Sequence, residues 1–456
     1  MMKRIAAMAM LCAIGANVWS QQVVGNLPDS VRKLDEVVVT GKLTFQEVMP
    51  SQKLKGEQLE RLNTHSVADA LRYFSGLQIK DYGGVGGIKT VNIRSMGTNH
   101  LGIYYDGIEL GNAHNELLRF LEQGDLPAGC TLLGLSALPS SHPLNMGMLG
   151  MHGNLGPNVM TNQCDLLIAV GMRFDDRVTG SLATYARQAK IIHFDIDPSE
   201  IDKNVKVDLA VVGDCKQTLP RVTELLDKAT HKAWIEGFRP YAEKEMQKVI
   251  EPAIHPTEGS LLMGEVVRAV SEATGNKAIL VTDVGQNQMF GCRYFKFTEG
   301  RSVVTSGGCG TMGFGLPAGI GATFGAPERT VCVFCGDGGL QMTIQELGTI
   351  MEQKAPVKII LLNNNYLGNV RQWQYMFFRK RYSFTPMLNP DYEQIASAYG
   401  IASRTVTERV DLDDAIRQML ETDGPFLLQC AVKEEDNVLP MTPPGANVDE
   451  MLLEVK

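Results

Sequence analysis

The stretch VFCGDGGLQMTIQELGTIMEQKAPVKIILLNNN, residues 333–365, decides the fold class of this 456-residue chain. An apolar run that starts at Val331 leads into a Gly-Asp-Gly-Gly turn, a helical period follows, and a second apolar run from Val357 ends in asparagines. The pattern predicts a βαβ unit, in which two neighbouring parallel strands end at the same edge of a sheet. The expected buried face of its helix is Leu340, Ile344, Leu347 and Met351.

The two strands of this unit each end in a group that binds hard cations. Asp337 follows the first strand and Asn364 the second, and carboxylate and amide oxygens are suitable ligands for Mg²⁺. The glycines at positions 336, 338 and 339 let backbone N–H groups approach a diphosphate at the helix N-terminus, where the helix dipole favours negative charge. The alternative is that each motif is an ordinary turn or loop.

The same pattern extends through the last three quarters of the chain. After about Glu116, runs such as DLLIAVG, AKIIHFDID and KAILVTD alternate with helical periods and end in Gly or Asp. These features predict an α/β fold with two doubly wound parallel-sheet domains. We place the central domain at 116–230 and the C-terminal domain at 260–456. Residues 231–259 lie between them and contain no apolar β run, so we predict that they form a helical linker.

Composition narrows the functional classes. The chain is 44% hydrophobic and 21% charged, with a net charge of -8 and no concentration of Lys and Arg. These values argue against a nucleic-acid partner and favour a small molecule. No apolar run after the N-terminus approaches the roughly 20 residues of a membrane helix.

Two features disagree about compartment. Residues 1–20 have the three-part layout of a secretory signal peptide, which predicts periplasm or outer membrane, although a buried N-terminal helix is the alternative. The cysteines beyond Cys12 lack the paired spacing of a disulfide framework and look like reduced core thiols, which favours the cytoplasm for the remainder. Cys332 and Cys335 have redox-motif spacing, but they lie in a β-rich run, so we expect core packing.

The segment 21–115 differs from the rest. It is Gly-rich with strict alternation, and Val91 and Ile93 mark one of its short strands. One amphipathic helix carries Val67, Leu71 and Phe74 on one face. We expect a small α+β module here.

Three motifs together resemble the thiamine diphosphate enzymes. The GDG…NN unit resembles their cofactor motif, and TSGGCGTMGFGLPAGIGA, residues 305–322, resembles the strip on which the cofactor bends. The resemblance implies that the Gly310 carbonyl accepts from the aminopyrimidine and that Met312 holds the bent cofactor. TDVGQNQM resembles the family's TDVGQHQM, which makes Gln286 and Asn287 candidates for the diphosphate. Asn287 replaces the usual His and leaves that position's role in doubt.

A closer resemblance is to the acetolactate (acetohydroxyacid) synthase large subunit. HPLNMGMLGMHG, GMRFDDRVTG, HFDIDPSEIDKN, YLGNVRQWQ and VLPMTPPGANVDEM carry it, over roughly residues 116–456. It implies Mg²⁺ held by Asp337, Asn364 and Tyr366, diphosphate bound at the glycines of the GDGG turn, and FAD in a structural role. The implied FAD residues are Gly150, His152, Gly153, Gly171, Arg173, Asp175, Arg177, Asp195 and Asp214.

The implied reaction condenses pyruvate with a second 2-oxo acid through a thiamine diphosphate enamine, as in branched-chain amino acid biosynthesis. The resemblance places Trp373 against the alkyl group of the second substrate and Arg173 on its carboxylate. For Trp373 the alternative is core packing, and the charged residues 175–177 could equally form a surface salt-bridge cluster. The family also implies a homodimer or tetramer with a regulatory small subunit. Another thiamine enzyme, such as a pyruvate oxidase or a 2-oxo acid decarboxylase, is the nearer rival.

The N-terminal quarter resembles something else. KLDEVVVTGKLT, residues 33–44, resembles a TonB box, and residues 67–110 resemble the plug of a TonB-dependent outer-membrane receptor. No residue there matches the pyrimidine-binding domain, whose Glu activates the cofactor in the synthase family. We therefore interpret the chain as a fusion that joins a plug-like module to an impaired synthase portion. A secreted receptor fragment, in which the plug is the working part, is the rival hypothesis.

Overall fold

The structure is a computed structural model, and it describes the backbone of residues 77–81 and 89–93 and the whole of residues 113–455. The signal peptide and the helix expected around Val67 lie outside the described residues. The chain divides into two compact units, Met1–Gly102 and Ile103–Lys456. In the first unit, strands β1 (Leu77–Asp81) and β2 (Lys89–Ile93) pair antiparallel. The predicted strand at Val91 and Ile93 is thus confirmed.

The second unit alternates strands and helices along the chain. Its strands are β3 (Ala128–Cys130), β4 (Asn145–Met148), β5 (Leu166–Val170), β6 (Lys190–Asp195), β7 (Leu209–Val212), β8 (Ile279–Thr282), β9 (Val303–Val304), β10 (Val331–Gly336), β11 (Lys358–Asn363), β12 (Ala402–Val406) and β13 (Phe426–Ala431). Its α-helices are His114–Gly124, Leu155–Thr161, Asp176–Thr179, Cys215–Thr223, Lys232–Glu236, Arg239–Glu245, Glu251–Ile254, Met263–Ala273, Gln286–Tyr294, Gly315–Gly325, Asp337–Met342, Leu347–Gln353, Gly368–Phe377, Tyr392–Ala398 and Leu412–Glu421.

The C-terminal domain contains one six-stranded sheet in the order β12-β13-β11-β10-β8-β9, and all its strand pairs are parallel. All six residues of β11 are buried. Ile360 and Leu362 join the core on one face, whereas Ile359 and Leu361 join the core on the other. Successive side chains of a strand point to opposite faces, so a sheet covered by helices on both faces requires a continuous apolar run. The predicted α/β class is confirmed.

The central domain is built from parallel strands as expected, but they do not form one sheet among the described residues. Strands β5, β6 and β7 form a three-stranded sheet, and β3 and β4 form a separate two-stranded sheet. The expectation of one doubly wound sheet in this domain is therefore met only in part. The helix His114–Gly124 packs Leu117, Phe120 and Leu121 into the core of this region.

The helix of the opening βαβ unit is interrupted. It comprises Asp337–Met342, a 3₁₀ turn at Ile344–Glu346 and a second helix, Leu347–Gln353. The break occurs at Thr343, whose backbone has φ -132° and ψ 27°. Leu340 and Leu347 are buried as predicted, but Met351 is 52% exposed. The prediction for Met351 was wrong, because the break rotates the second helix relative to the first.

The predicted helical linker is helical. A short π-helix, Met246–Ile250, continues the helix Arg239–Glu245. Glu245 is buried and its carboxylate contacts the guanidinium of Arg293, which lies in the helix Gln286–Tyr294. The same carboxylate accepts hydrogen bonds from Asn154 Nδ2 (2.9 Å) and Leu155 N (2.6 Å). This buried ion pair therefore connects the linker with both domains.

The cysteines of the described residues are free thiols. Cys332 and Cys335 lie buried in β10, and burial raises the pKa of the Cys332 thiol to about 12. Their expected packing role is confirmed. Cys309 is exposed and Cys164 is half-buried, so these two depart from the expected core position. None of the helices in the described part of the chain combines the length and apolar character that crossing a bilayer requires.

Candidate functional site

A pocket of about 120 Å³ lies at the carboxyl ends of β8, β10 and β11. This is the edge where open parallel sheets bind ligands. The predicted residues among its lining are Gln286, Asn287, Met312, Gly336, Asp337, Gly338, Gly339, Asn364 and Tyr366. The fold thus assembles three separate sequence motifs around one small cavity.

Among the described residues that line this pocket, Asp337 is the one with an acidic side chain. It is 1% exposed, and burial raises the pKa of its carboxyl group, while hydrogen bonds from Asn389 and from the backbone partly oppose this rise. Asn389 Nδ2 donates to Asp337 Oδ2 at 2.8 Å, and Gly338 N donates to Asp337 Oδ1 at 2.9 Å. A nearby cation stabilises the ionised form of such a buried carboxylate and so offsets the effect of burial on its pKa.

Asn364 follows β11, the parallel neighbour of β10, so it emerges at the same sheet edge as Asp337. Its Oδ1 accepts from Tyr366 N at 3.2 Å, and its Nδ2 lies 3.5 Å from Gln286 Oε1. Gln286 also donates through Nε2 to Gln372 Oε1 at 2.9 Å. These bonds fix the orientation of the Asn364 amide relative to the pocket.

Sequence reasoning did not identify Asn389. Its Nδ2 lies within hydrogen-bond distance of Asn363 Oδ1 (3.0 Å) as well as Asp337, and its Oδ1 accepts from Gln341 Nε2 at 2.8 Å. Asn389 therefore links the ends of both strands of the βαβ unit. It lies in an irregular segment without periodicity, so no local pattern indicates this role.

Asp283 is a second residue that sequence reasoning did not single out. It is 1% exposed, and its carboxylate accepts from Gly313 N at 3.1 Å and Gly315 N at 2.9 Å. A Cβ atom on Gly339 would lie 2.2 Å from Asp283 Oδ1. The glycine at position 339 is therefore required for close packing of the GDGG turn against Asp283, whose carboxylate also holds the loop that carries Met312.

The strip 305–322 reaches the pocket through Met312. This side chain lines the cavity, and its Cε would be 3.5 Å from a Cβ on Gly338. Gly310 has φ +59°, a backbone conformation that favours glycine, but it lies outside the residues that line the cavity.

Asn287 carries an unsatisfied polar atom at this site. Its Nδ2 lies 3.4 Å from Val284 O, whereas its buried Oδ1 has no hydrogen-bond partner among the described residues. Buried polar atoms in proteins are nearly always paired, so an unpaired one in a pocket indicates room for a ligand. The oxygens of Asp337 and Asn364 are of the type that holds Mg²⁺. The residues present therefore fit a diphosphate with its magnesium ion. No group of three or more His, Cys, Asp or Glu residues with metal-site spacing occurs in the part of the chain that the structure describes.

Trp373 and Arg173 do not line this pocket. Trp373 lies in the helix Gly368–Phe377, half-buried, with its ring edge-on to Phe377 at 5.3 Å. Arg173 lies in the central domain, where its Nη2 is 3.3 Å from Asp175 Oδ2. The structure thus places neither residue in direct contact with the cavity.

Three predicted FAD residues lie at one edge of the central sheet. Gly171, Asp195 and Asp214 lie at or just after the carboxyl ends of β5, β6 and β7, which pair in parallel. Gly171 N donates to Phe194 O at 2.8 Å, and Asp195 Oδ2 is 3.5 Å from His193 Nε2. Asp214 caps the helix Cys215–Thr223 by accepting from Lys216 N.

The remaining FAD candidates form a loop cluster. Met151 N donates to Arg177 O at 2.7 Å, and a Cβ on Gly150 would lie 2.6 Å from that oxygen. Asp175 caps the short helix Asp176–Thr179 by accepting from Arg177 N at 3.0 Å. The carbonyl groups of His152 and Gly153 accept from Arg293 Nη1 at 3.1 and 2.9 Å. His152 Nδ1 is buried without a partner among the described residues, and burial lowers the pKa of its ring to about 4.

Comparison with protein families matches three parts of the chain. Residues 283–430 match the thiamine pyrophosphate enzyme C-terminal TPP binding domain, and residues 103–222 match the central domain of thiamine pyrophosphate enzymes. Residues 45–126 match the TonB-dependent receptor plug domain. The plug and central-domain matches overlap over residues 103–126.

Several curated proteins are similar to the larger part of the chain. Acetolactate synthase isozyme 2 large subunit of Escherichia coli (strain K12) is 40% identical over 347 residues, which are 76% of this chain and 62% of that protein. Acetolactate synthase 2, chloroplastic, of Nicotiana tabacum is 39% identical, covering 79% of this chain and 56% of that protein. The probable acetolactate synthase large subunit of Methanococcus aeolicus is 39% identical, covering 76% and 60%. The chain thus spans about three-fifths of the length of these relatives.

Proposed function

We propose that this chain, a thiamine pyrophosphate enzyme by its central and C-terminal domains, provides the diphosphate-binding part of an acetolactate synthase large subunit. The reaction class is condensation of pyruvate with a second 2-oxo acid, and the substrates are small molecules. The observation that carries the proposal is the pocket where the GDGG turn, Asn364 and Met312 meet.

Thiamine diphosphate, when bound, supplies an electron sink for carbanion chemistry on 2-oxo acids. The chain's own residues would bind and orient it. Asp337, Asn364 and the Tyr366 backbone would hold the magnesium ion, since hard oxygen ligands suit it. The backbone N–H groups at the N-terminus of the helix Asp337–Met342 would donate to the diphosphate.

Burial also couples cation binding to the protonation of Asp337. Its raised pKa means that the folded protein without a cation retains the proton to a higher pH than an exposed Asp does. A divalent cation that binds the carboxylate must displace this proton, so Mg²⁺ affinity increases as pH rises through the shifted pKa.

Proton removal from the cofactor needs a separate acid–base group. Asp337 is the single carboxylic acid among the described residues of the lining. Because we propose that its carboxylate holds the cation, it is not available to exchange a proton with the cofactor. We therefore propose that the chain alone binds the cofactor weakly and has little turnover. General acid–base assistance is commonly worth about 10²–10⁴-fold in rate.

Ligand binding tests the site independently of turnover. When the unmodified chain is titrated with thiamine diphosphate and Mg²⁺, calorimetry should show a heat of binding. The Asp337→Asn variant should show no such heat. Asp391→Asn is the matched control, because the Asp391 carboxylate caps the helix Tyr392–Ala398 by accepting from Gln394 N and Gln394 Nε2 and does not line the pocket. Equal binding by both variants would overturn the metal assignment.

Turnover is the second test. Acetolactate formation from pyruvate should be near the detection limit for the chain with thiamine diphosphate, Mg²⁺ and FAD. A separately expressed pyrimidine-binding domain from a relative should increase it. Robust turnover by the chain alone would contradict the proposed dependence on an external activating group.

The carboxyl edge of β5, β6 and β7 is the proposed FAD site. Asp195 ends β6, where a carboxylate in doubly wound folds meets an adenosine hydroxyl. Titration of the chain into FAD should change flavin fluorescence, with a weaker response in Asp195→Ala, whereas unchanged fluorescence would count against a flavin site.

For the compartment, we propose the cytoplasm for the enzyme part, supported by its free thiols. The signal-like N-terminus points instead to export, and fractionation of cells that express the full chain distinguishes the two. Further partners proposed from the relatives are a second copy and a regulatory small subunit.

A further inference from the structure

Three side-chain amides connect the cofactor pocket with the backbone that follows β13. Asn364 follows β11, Gln286 begins the helix Gln286–Tyr294, and Gln372 lies in the helix Gly368–Phe377. All three residues are buried. We refer to Gln372, Gln286 and Asn364, in this order, as the amide relay.

The backbone of Val438 fixes the first member of the amide relay. Val438 N donates to Gln372 Oε1 at 2.9 Å, and Gln372 Nε2 lies 3.2 Å from Val438 O and donates to it. A backbone N–H can only donate and a backbone C=O can only accept. This pair of hydrogen bonds therefore admits one orientation of the Gln372 amide, with its oxygen toward Val438 N.

Gln286 has no free donor at its amide group. Its Nε2 donates to Gln372 Oε1 at 2.9 Å and to Asp436 O at 2.6 Å, which uses both N–H bonds. The reverse orientation would place Gln286 Oε1 against two oxygens that cannot donate. Gln286 Oε1 therefore faces Asn364, with Asn364 Nδ2 at 3.5 Å. A Cβ atom on Gly368 would collide with Gln286 Oε1 and lie 2.8 Å from Asn364 Nδ2, so the helix start packs directly on this contact.

The last member of the amide relay is the proposed cation ligand. Because Asn364 Nδ2 faces Gln286, Asn364 Oδ1 faces the other way and accepts from Tyr366 N at 3.2 Å. An amide oxygen has two lone pairs, so one of them is left for a further partner. Mg²⁺ needs the oxygen of this amide, whereas the reverse orientation would direct N–H groups at the cation.

We propose that residues 436–438 set, through Gln372 and Gln286, the orientation in which Asn364 presents its oxygen to the cation. This inference rests on the cation site of the proposed function. It makes Gln286 a positioning residue for Asn364 instead of a ligand of the diphosphate, the role that the sequence motif implied. Both N–H bonds of the Gln286 amide are already used within the protein, so none is left for a phosphate oxygen.

An aspartate at position 364 separates this role from the alternatives. Both oxygens of a carboxylate accept, so Asn364→Asp presents an oxygen to the cation in either orientation and leaves nothing for Gln286 to orient. A Gln286 that bound the diphosphate directly, or that only stabilised the fold, would be equally important in both backgrounds.

The experiment is a double-mutant cycle of Mg²⁺ affinity. Calorimetry measures Mg²⁺ binding to the full chain with thiamine diphosphate at a fixed concentration. Gln286→Met is similar in shape but cannot donate, and it should weaken Mg²⁺ binding about tenfold when position 364 is Asn. In the Asn364→Asp background, the same substitution should change the affinity by less than about twofold.

A control and a second variant accompany the cycle. Gln123 Nε2 also donates to a backbone carbonyl, that of Leu226 at 3.0 Å, but Gln123 does not line the pocket, so Gln123→Met should leave Mg²⁺ affinity unchanged. Gln372→Met leaves the bond from Gln286 to Asp436 in place. It should therefore cause a smaller loss of affinity, with the same dependence on position 364. Thermal unfolding verifies that each variant is folded.

The outcomes separate this inference from the proposed function. Equal loss of Mg²⁺ affinity in both backgrounds would overturn the inference and assign Gln286 to the diphosphate or to folding. Unchanged affinity in both Gln286→Met and Gln372→Met would also overturn it. If Gln286→Met is unfolded, the same cycle with Gln372→Met decides. An unmodified chain that binds neither Mg²⁺ nor thiamine diphosphate would contradict the proposed function itself, and the inference with it.

Discussion

Strands β11 and β5 both contain a run of apolar residues but differ in burial. β11 reads KIILLN and β5 reads LLIAV, yet all of β11 is buried, whereas Leu166 in β5 is 43% exposed. The difference lies in their neighbours. β11 lies between β10 and β13, but β5 has one partner among the described residues. An apolar run thus specifies a strand that can be buried, and adjacent strands and covering helices determine whether it is.

The comparison predicts unequal costs for matched truncations. Leu361→Ala, in β11, removes a fully buried side chain and should destabilise the protein by about 3–5 kcal/mol. Leu209→Ala, at the edge strand β7, removes a side chain that is 54% exposed and should cost less than about 1 kcal/mol. Calorimetric unfolding of both variants measures the difference. Equal costs would show that the central domain is packed more tightly than its exposure indicates.

The two domains should also respond to pH in opposite directions. Burial raises the pKa of Asp436 to about 6, from an ordinary value of 3.8. Its contribution to stability is full below about 3.8 and is lost as pH rises through 6. Burial lowers the pKa of His152 from 6.5 to about 4, helped by Arg293. Its contribution is full above 6.5 and is lost as pH falls through 4.

Each of these pKa shifts corresponds to about 3 kcal/mol, since one unit is 1.36 kcal/mol. Unfolding in urea between pH 3.5 and 7.5 measures them. Asp436→Asn should flatten the loss of stability of the C-terminal domain with rising pH. His152→Gln should reduce the loss of stability that occurs as pH falls. If either variant keeps the pH dependence of the unmodified protein, another group causes that dependence.

We expect the pocket of the C-terminal domain to be sensitive to one added methyl group at position 339. Gly339→Ala would place Cβ 2.2 Å from Asp283 Oδ1, so we expect a cost of about 1–3 kcal/mol and weaker cofactor binding. Gly321→Ala is the control, because a Cβ there meets nothing within 4 Å in the helix Gly315–Gly325. It should stabilise the protein by about 0.5–1 kcal/mol. Thermal unfolding with cofactor titration distinguishes them, and a stabilising Gly339→Ala would contradict the close packing.

The smallest expected effect concerns Asn389. Asn389→Ala removes the side chain that donates to Asp337 and should weaken Mg²⁺ affinity about tenfold. Asn204→Ala, which removes a hydrogen bond to the Arg173 carbonyl in the central domain, should leave Mg²⁺ affinity unchanged. Isothermal titration at pH 7 is the measurement. An unchanged affinity in Asn389→Ala would mean that Asp337 is oriented by its own helix alone.

Local patterns predicted much of the site. Apolar runs marked β10 and β11, and the connecting helical period required them to be parallel neighbours, so the sequence alone placed Asp337 and Asn364 at one edge of the sheet. Met351 and Asn389 could not be placed correctly. The exposure of Met351 depends on the helix break at Thr343, and the position of Asn389 depends on an irregular segment folding back over two strand ends.

The sequence by itself determined the α/β class, the parallel strands and the diphosphate motif, because these follow from periodicity and from turn residues adjacent in the chain. The tertiary structure decided which strands acquire two neighbours, as the division between β3 and β5 shows. It also decided that Asp283 and Asn389 support the pocket while Trp373 lies outside its lining. These contacts join residues far apart in the chain, and their formation depends on the packing of the whole domain, which no local pattern encodes.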